Sequence, residues 1–154
     1  MSRLDSRAVD ATLTASRALL GIIARSMAPA LEKVTLPQFR VLVLLSSSGT
    51  LRMGALAERL GVNISTFSRT ADRLVLSGWV QREENPDSRR EVMLVLTEQG
   101  RDLVASVTDH RRRLIEDVLA QMDPADATAL AGALQAFADA AGEPALTDLL
   151  VLGL

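Results

Sequence analysis

The sequence predicts a mainly α-helical fold carrying one small β-hairpin, and three observations lead there. Hydrophobic residues make up 48% of the 154 residues and aromatics only 3%, with Leu and Ala dominating; that balance suits helices packed on helices. Apolar residues recur at helical spacing over most of the chain. One stretch, from about residue 79 to 96, reads instead as two strands closed by a short charged turn.

Each element follows from local chemistry. A first helix is expected from about Asp5 to Leu31, because Val9, Leu13, Leu20, Ile23, Met27 and Leu31 recur at three-, four- and seven-residue steps. Such a long terminal helix is either the core helix of a monomer or packs against a partner chain. Thr35 caps a second helix, with Gln38 three residues on and Pro37 in the first turn. Phe39, Val41, Leu42, Leu44 and Leu45 make this helix central, and the run Ser46 to Gly49 ends it. A short third helix, about Met53 to Leu60, buries Leu56, Ala57 and Leu60 and stops at Gly61, where a left-handed backbone costs glycine little. Asn63 caps a fourth helix, about Ile64 to Ser77, closed by Gly78. Two short helices joined by a tight glycine turn form a helix-turn-helix. Strands from Trp79 to Glu84 and from Glu91 to Leu96, joined by the turn Glu84 to Ser88, add a hairpin directly behind it, which is a wing. Thr97 caps a fifth helix, about Glu98 to Met122, and Asp123-Pro124 starts a sixth that runs to about Ala141 with Leu130, Leu134 and Phe137 on one face. Gly142-Glu143-Pro144 breaks it, and the tail from Ala145 to Leu154 is apolar.

Composition excludes several classes of function. There is no cysteine, so disulfides, thiolate metal sites and thiol redox sensing are ruled out. One histidine, His110, cannot build a His-rich metal site. No stretch approaches a membrane span and the charged N-terminus lacks the apolar core of a signal peptide, so a soluble cytoplasmic protein is expected. The net charge of −2 is unevenly spread: six Lys/Arg against three Asp/Glu in residues 1–51, eight against seven in 52–101, three against nine in 102–154. Any surface for nucleic acid therefore lies in the first two thirds, as a local pattern.

The fourth helix carries that pattern. At about 100° per residue, Ile64, Phe67, Ala71, Leu74 and Val75 cluster in one sector. Ser65, Thr66, Arg69 and Arg73 occupy the opposite one, with Ser68 and Asp72 on its flank. One face packs inward while the other offers hydroxyls and guanidinium groups. Arginine can grip a guanine edge or a phosphate, and Ser and Thr hydroxyls bond either. The bland reading of the same face is a solvated surface stabilised by Asp72 and its arginine neighbours. At the hairpin tip, Asp87-Ser88-Arg89-Arg90 places two arginines where they reach a minor groove or phosphates, with Asp87 or Glu91 holding one of them; the bland reading is a solubilising loop. His110 and Arg111-Arg112-Arg113 either bind an anion or form a solvated face paired with acids such as Asp109 and Glu116.

Taken in order and spacing, these segments resemble the MarR-type regulators of bacteria and archaea. The segments are Leu36 to Leu42, Leu56 to Val62, Ser65 to Arg69, Asp72-Arg73-Leu74, Gly78-Trp79-Val80, and Asp87-Ser88-Arg89-Arg90 through Leu96-Thr97-Glu98-Gln99-Gly100. The resemblance implies a homodimer, with residues 1–34 and 98–154 as dimerisation helices and 35–97 as the winged helix-turn-helix lobe. Two lobes would grip a near-palindromic operator in double-stranded DNA. The matching DNA-facing residues are Ser65, Thr66, Ser68, Arg69, Arg73, Arg89 and Arg90. One departure concerns the wing: the family's Asp-x-Arg aligns with Ser88-Arg89-Arg90, displacing the acid to Asp87 and leaving open which arginine enters the groove. Another concerns sensing: the cysteine that peroxide-responsive members carry in the first helix has no counterpart here. A small-molecule effector stays open by analogy; no cofactor, metal or membrane partner is expected. The rival readings are a winged-helix protein-interaction module that has lost DNA binding, against which Arg69 and Arg73 count, and a small enzyme, for which no phosphate loop, ligand cluster or nucleophile motif appears.

Overall fold

A computed structural model describes residues 6–142 of the chain. The order of elements is α1 (Ser6–Leu31), α2 (Leu36–Ser48), β1 (Leu51–Arg52), α3 (Met53–Arg59), α4 (Ile64–Leu76), β2 (Val80–Asn85), β3 (Ser88–Leu96), α5 (Glu98–Leu119) and α6 (Pro124–Ala141). This is a mainly helical winged helix-turn-helix, with long helices at both ends of the chain. The expected apolar tail from Ala145 onward lies outside the described residues.

The helix starts are set by side chains satisfying free backbone N–H groups. At α2, Thr35 Oγ1 accepts from the Gln38 N–H at 3.4 Å while Gln38 Oε1 accepts from the Thr35 N–H at 2.8 Å, a reciprocal capping box. Asp123 accepts from the Ala125 N–H at 2.8 Å to start α6, with Pro124 in its first turn. The small sheet has the order β1-β3-β2, all antiparallel. Two features of it were not anticipated. Leu51 and Arg52 form a third strand by pairing with Leu94 and Met93, and β3 begins at Ser88, inside the segment read as turn. The first depends on a strand roughly forty residues away along the chain, which local pattern does not reveal.

One core joins α2, α3, α4 and the sheet to the middle of α5. Leu42, Leu56, Phe67, Leu74 and Leu94 are among its most enclosed large side chains, and Met27, Ala30, Leu103 and Val107 bring α1 and α5 into it. The two end helices differ from this. No residue of α6 is buried, and α1 is buried only at Ile22, Ser26, Met27 and Ala30. Of the apolar stripe expected on α1, Met27 is buried and Ile23 partly so. Val9, Leu13, Leu20 and Leu31 are exposed, as are Leu134 and Phe137 on α6.

The junction between hairpin and α5 is unusually close. Thr97 donates its N–H to Trp79 O at 3.2 Å and its hydroxyl to Gly78 O at 2.6 Å, and its Oγ1 accepts from the Gly100 N–H at 3.1 Å. Arg101 Nη1 adds a bond to Leu96 O at 2.8 Å. A Cβ on Gly100 would stand 2.2 Å from Trp79 O and 3.0 Å from Leu96 Cδ2. Glycine is required there because the obstacle is backbone, which cannot rotate aside. Gly100→Ala is therefore expected to cost about 2 kcal/mol through forced displacement of α5, read as a lowered midpoint in thermal or urea unfolding. A variant as stable as the parent would show that the junction yields freely.

Candidate nucleic-acid interface

The turn between α3 and α4 is built from backbone bonds and one cap. Leu60 N–H donates to Leu56 O and Val62 N–H to Ala57 O, both at 3.0 Å, while Gly61 adopts φ +65°. Asn63 Oδ1 then accepts from the Ser65 N–H at 2.9 Å and from the Ser65 hydroxyl at 2.8 Å. This turn fixes the angle at which α4 leaves the lobe.

The two faces of α4 separate sharply. Phe67, Ala71 and Leu74 are buried and Val75 packs against the core. Burying three such side chains contributes several kcal/mol, on the order of 2 for each large one, so the helix is held by this side. Ser65, Thr66, Arg69 and Arg73 are placed on the other side, with Ser68 on the flank; of these Ser65, Thr66, Arg69 and Arg73 are exposed and Ser68 is half-buried. Ile64, expected in the buried sector, is 52% exposed. It leads the helix opposite Gly54, which offers no side chain to cover it. Leu76, which the pattern did not single out, ends the helix 91% exposed and shares the angular sector of Ser65 and Arg69.

Charge pairing leaves this face open. Asp72 pairs with Arg82 of β2, not with the arginines of its own helix. Among the described residues Arg69 and Arg73 have no hydrogen bond or ion pair, so their guanidinium groups are available to a ligand. Ser65 is different, since its hydroxyl hydrogen is committed to the Asn63 cap and only its lone pairs are free.

The hairpin brings further charge beside α4. Arg90 is exposed on β3 and unpaired among the described residues; Arg89 lies in the same strand. The acid expected to hold a tip arginine does so elsewhere: Glu91 accepts from Arg52 Nη1 at 3.0 Å, and its second oxygen accepts from Asn85 Nδ2 at 2.6 Å. The Asp87 carboxylate has no partner among the described residues, while its N–H donates to Asn85 Oδ1 at 3.0 Å. Arg52, Asn85 and Arg82 were missed in the sequence because each acts through a residue beyond its local helical or turn neighbours. An open cleft lined by Arg52, Ile64, Ser68, Arg90, Glu91 and Val92 runs between wing and helix.

Away from this surface, Arg111 donates from Nε to Ser26 Oγ at 3.2 Å, and Ser26 donates to Ile23 O at 2.7 Å. Burial lowers the Arg111 pKa from its ordinary value. The expected pairing of His110 to Arg113 with Asp109 or Glu116 is not formed among the described residues, and Arg111 turns inward between α1 and α5 instead. No group of three or more His, Asp or Glu among the described residues is placed to hold a metal ion, and no described helix is long and apolar enough to cross a membrane.

Comparison with known proteins bears on the family and the fold. A model described as the MarR family matches residues 34–92, the stretch from just before α2 into β3. The chain is similar to the crystal structure of RV1404 from Mycobacterium tuberculosis, with 45% identity, a TM-score of 0.78, and 93% of this chain and 98% of that one covered. It is 30% identical over 97 residues to an uncharacterized HTH-type transcriptional regulator, YfiV, from Bacillus subtilis; the match covers 63% of this chain and 61% of that relative, under two thirds of its length. A MarR variant from Escherichia coli solved with operator DNA shares the fold at 22% identity and a TM-score of 0.54, over 83% of this chain and 91% of that one.

The cap that starts the exposed helix has a measurable role. Asn63→Ala is expected to lower stability by about 1 kcal/mol, read in urea unfolding, because it leaves the Ser65 N–H without its acceptor. An unchanged midpoint would mean that water replaces the cap at no cost.

Proposed function

The chain belongs to the MarR family of winged helix-turn-helix transcriptional regulators, and on that premise we propose that it binds double-stranded DNA sequence-specifically, as a homodimer on a near-palindromic operator, and acts as a repressor. The observation that carries this reading is the outward face of α4. A helix seated by Phe67, Ala71 and Leu74 presents Arg69 and Arg73 with no partner among the described residues, and unpaired arginines flanked by hydroxyls suit base edges and phosphates in a major groove. Ser65, Thr66 and Ser68 supply the hydroxyls, and Arg89 and Arg90 extend the interface from the wing.

The dimer reading rests on uncovered apolar surface. Val9, Leu13 and Leu20 on α1 and Leu134 and Phe137 on α6 face water in the single chain, at a cost that a second copy would remove. Residues 1–34 and 98–154 are accordingly the dimerisation helices, and 35–97 the lobe that meets DNA. Two such lobes would place their α4 helices in successive major grooves, roughly 34–36 Å apart. The acidic last third fits a region held away from phosphate. A small molecule lodged between helices and lobe is the releasing signal in this scheme, and the protein works in the cytoplasm.

The direct test is selection of bound sequences from a random duplex pool, which should enrich a two-fold symmetric site. Against that duplex, Arg69→Ala or Arg73→Ala should each weaken binding by about 1–3 kcal/mol without lowering stability, read by fluorescence anisotropy. Replacing Arg89 and Arg90 together should reduce affinity and flatten the dependence of log K on log salt by about one for each phosphate left without its arginine. Unchanged titrations would remove these residues from the interface. Truncation after Pro144 should shift the protein toward monomer in sedimentation, and an intact dimer would exclude the tail from the dimer interface.

A further inference from the structure

Arg90 and Glu91 stand side by side near the wing tip with opposite relations to a duplex. On charge alone, a carboxylate beside the DNA-facing arginine repels phosphate and weakens binding. Its hydrogen bonds give it another role. One oxygen accepts from Arg52 Nη1 at 3.0 Å and the other from Asn85 Nδ2 at 2.6 Å. Asn85 in turn accepts the N–H of Asp87 at 3.0 Å, closing the hairpin turn. Arg52 ends β1 and is the residue from which α3 starts. One carboxylate thus ties the entry of the helix-turn-helix to the tip of the wing.

The tie sits where the sheet is weakest. The β2–β3 ladder is regular from Val80↔Leu96 to Glu84↔Val92, then shifts register before Asn85↔Ser88. Beyond that bulge the tip has little pairing of its own to fix its direction. The Arg52–Glu91 pair is solvent-exposed, with side chains 57% and 39% accessible, so it adds little to global stability. The bond to Asn85 is short and charge-assisted, the kind that fixes geometry.

We propose that Glu91 is the positioning residue of the wing. It holds Asn85 and the hairpin turn at a set height over the lobe, so that Arg90 and α4 meet one duplex together, while Arg52 neutralises its charge. This rests on the DNA-binding reading above and adds to it a residue outside the DNA-facing set.

The test compares the full-length protein with Glu91→Gln and Asn85→Ala, using the duplex that the wild type enriches from a random pool. Glu91→Gln removes a negative charge near phosphate but weakens the hold on both Arg52 and Asn85. Asn85→Ala breaks the same tie from the other end and changes no charge. Both should weaken binding by about tenfold. Both should lose hydroxyl-radical protection at the outer, wing-covered ends of the site while keeping it under α4, with unfolding midpoints unchanged. Glu91→Gln binding as tightly as the wild type or more tightly would overturn the proposal, as would full affinity in Asn85→Ala or a loss of protection spread evenly over the site. If the wild type enriches no duplex, this inference falls together with the DNA-binding reading; if it does and Glu91→Gln matches it, this inference falls alone.

Discussion

The Trp79 carbonyl stands where any side chain on residue 100 would have to be, and the rest of the architecture depends on that approach. The helix-turn-helix ends at Gly78 and Trp79, and the long helix α5 begins at Glu98, directly behind the hairpin. Between hairpin and helix there is no linker. Thr97 caps α5 and at the same time bonds the backbone of the strand entry. The helix axis is therefore referenced to the sheet, and the sheet to α4 through the shared core. A tilt of α5 cannot be absorbed by a loop and must move the lobe as a body. Rigid coupling of this kind lets a disturbance among the helices alter the aim of α4.

Within the lobe, polar groups divide their work by depth. Hydroxyls and amides close to the backbone, such as those of Thr35, Asn63 and Thr97, satisfy helix ends and are used up by that task. The long cations split into two sets. Arg52, Arg82 and Arg101 are engaged with Glu91, Asp72 and the Leu96 carbonyl, the first bracing strand against strand and the other two strand against helix. On the outward face of α4 and on the wing, Arg69, Arg73 and Arg90 have no such partner among the described residues. The Asp72–Arg82 pair is instructive here: by drawing the acid of α4 toward the sheet, it removes the carboxylate that would otherwise mask the neighbouring arginines. Exposed charge alone is common on any surface, and what distinguishes this face is that its natural quenchers are occupied elsewhere.

Helix positions and types were legible in the sequence because their determinants are local. Thr35 with Gln38, Asn63, Thr97 and Asp123-Pro124 lie within three residues of the groups they cap, and Gly49, Gly61 and Gly78 take the positive φ at which chains leave helices. The buried and exposed sides of α4 followed from the 3.6-residue period, apart from Ile64, whose cover depends on residue 54. What could not be read were features made by distant chain. The strand β1 exists through Leu94 and Met93, Glu91 reaches back 39 residues to Arg52, and Arg111 reaches 85 residues to Ser26. Gly100 was recognisable as part of a family pattern, but its necessity is steric and appears only when Trp79 stands beside it.

The absence of any enclosed side chain along α6, and along the first four turns of α1, has a consequence for how the protein persists at low abundance. Helical segments that bury nothing of their own gain little from the rest of the chain, so under the dimer reading much of the free energy that keeps α6 and the start of α1 folded is supplied by association. Such stability follows mass action: dilution frays the ends before it disturbs the lobe. Proteolysis would then begin at the termini of unpaired copies, making the lifetime of each molecule depend on how many others surround it.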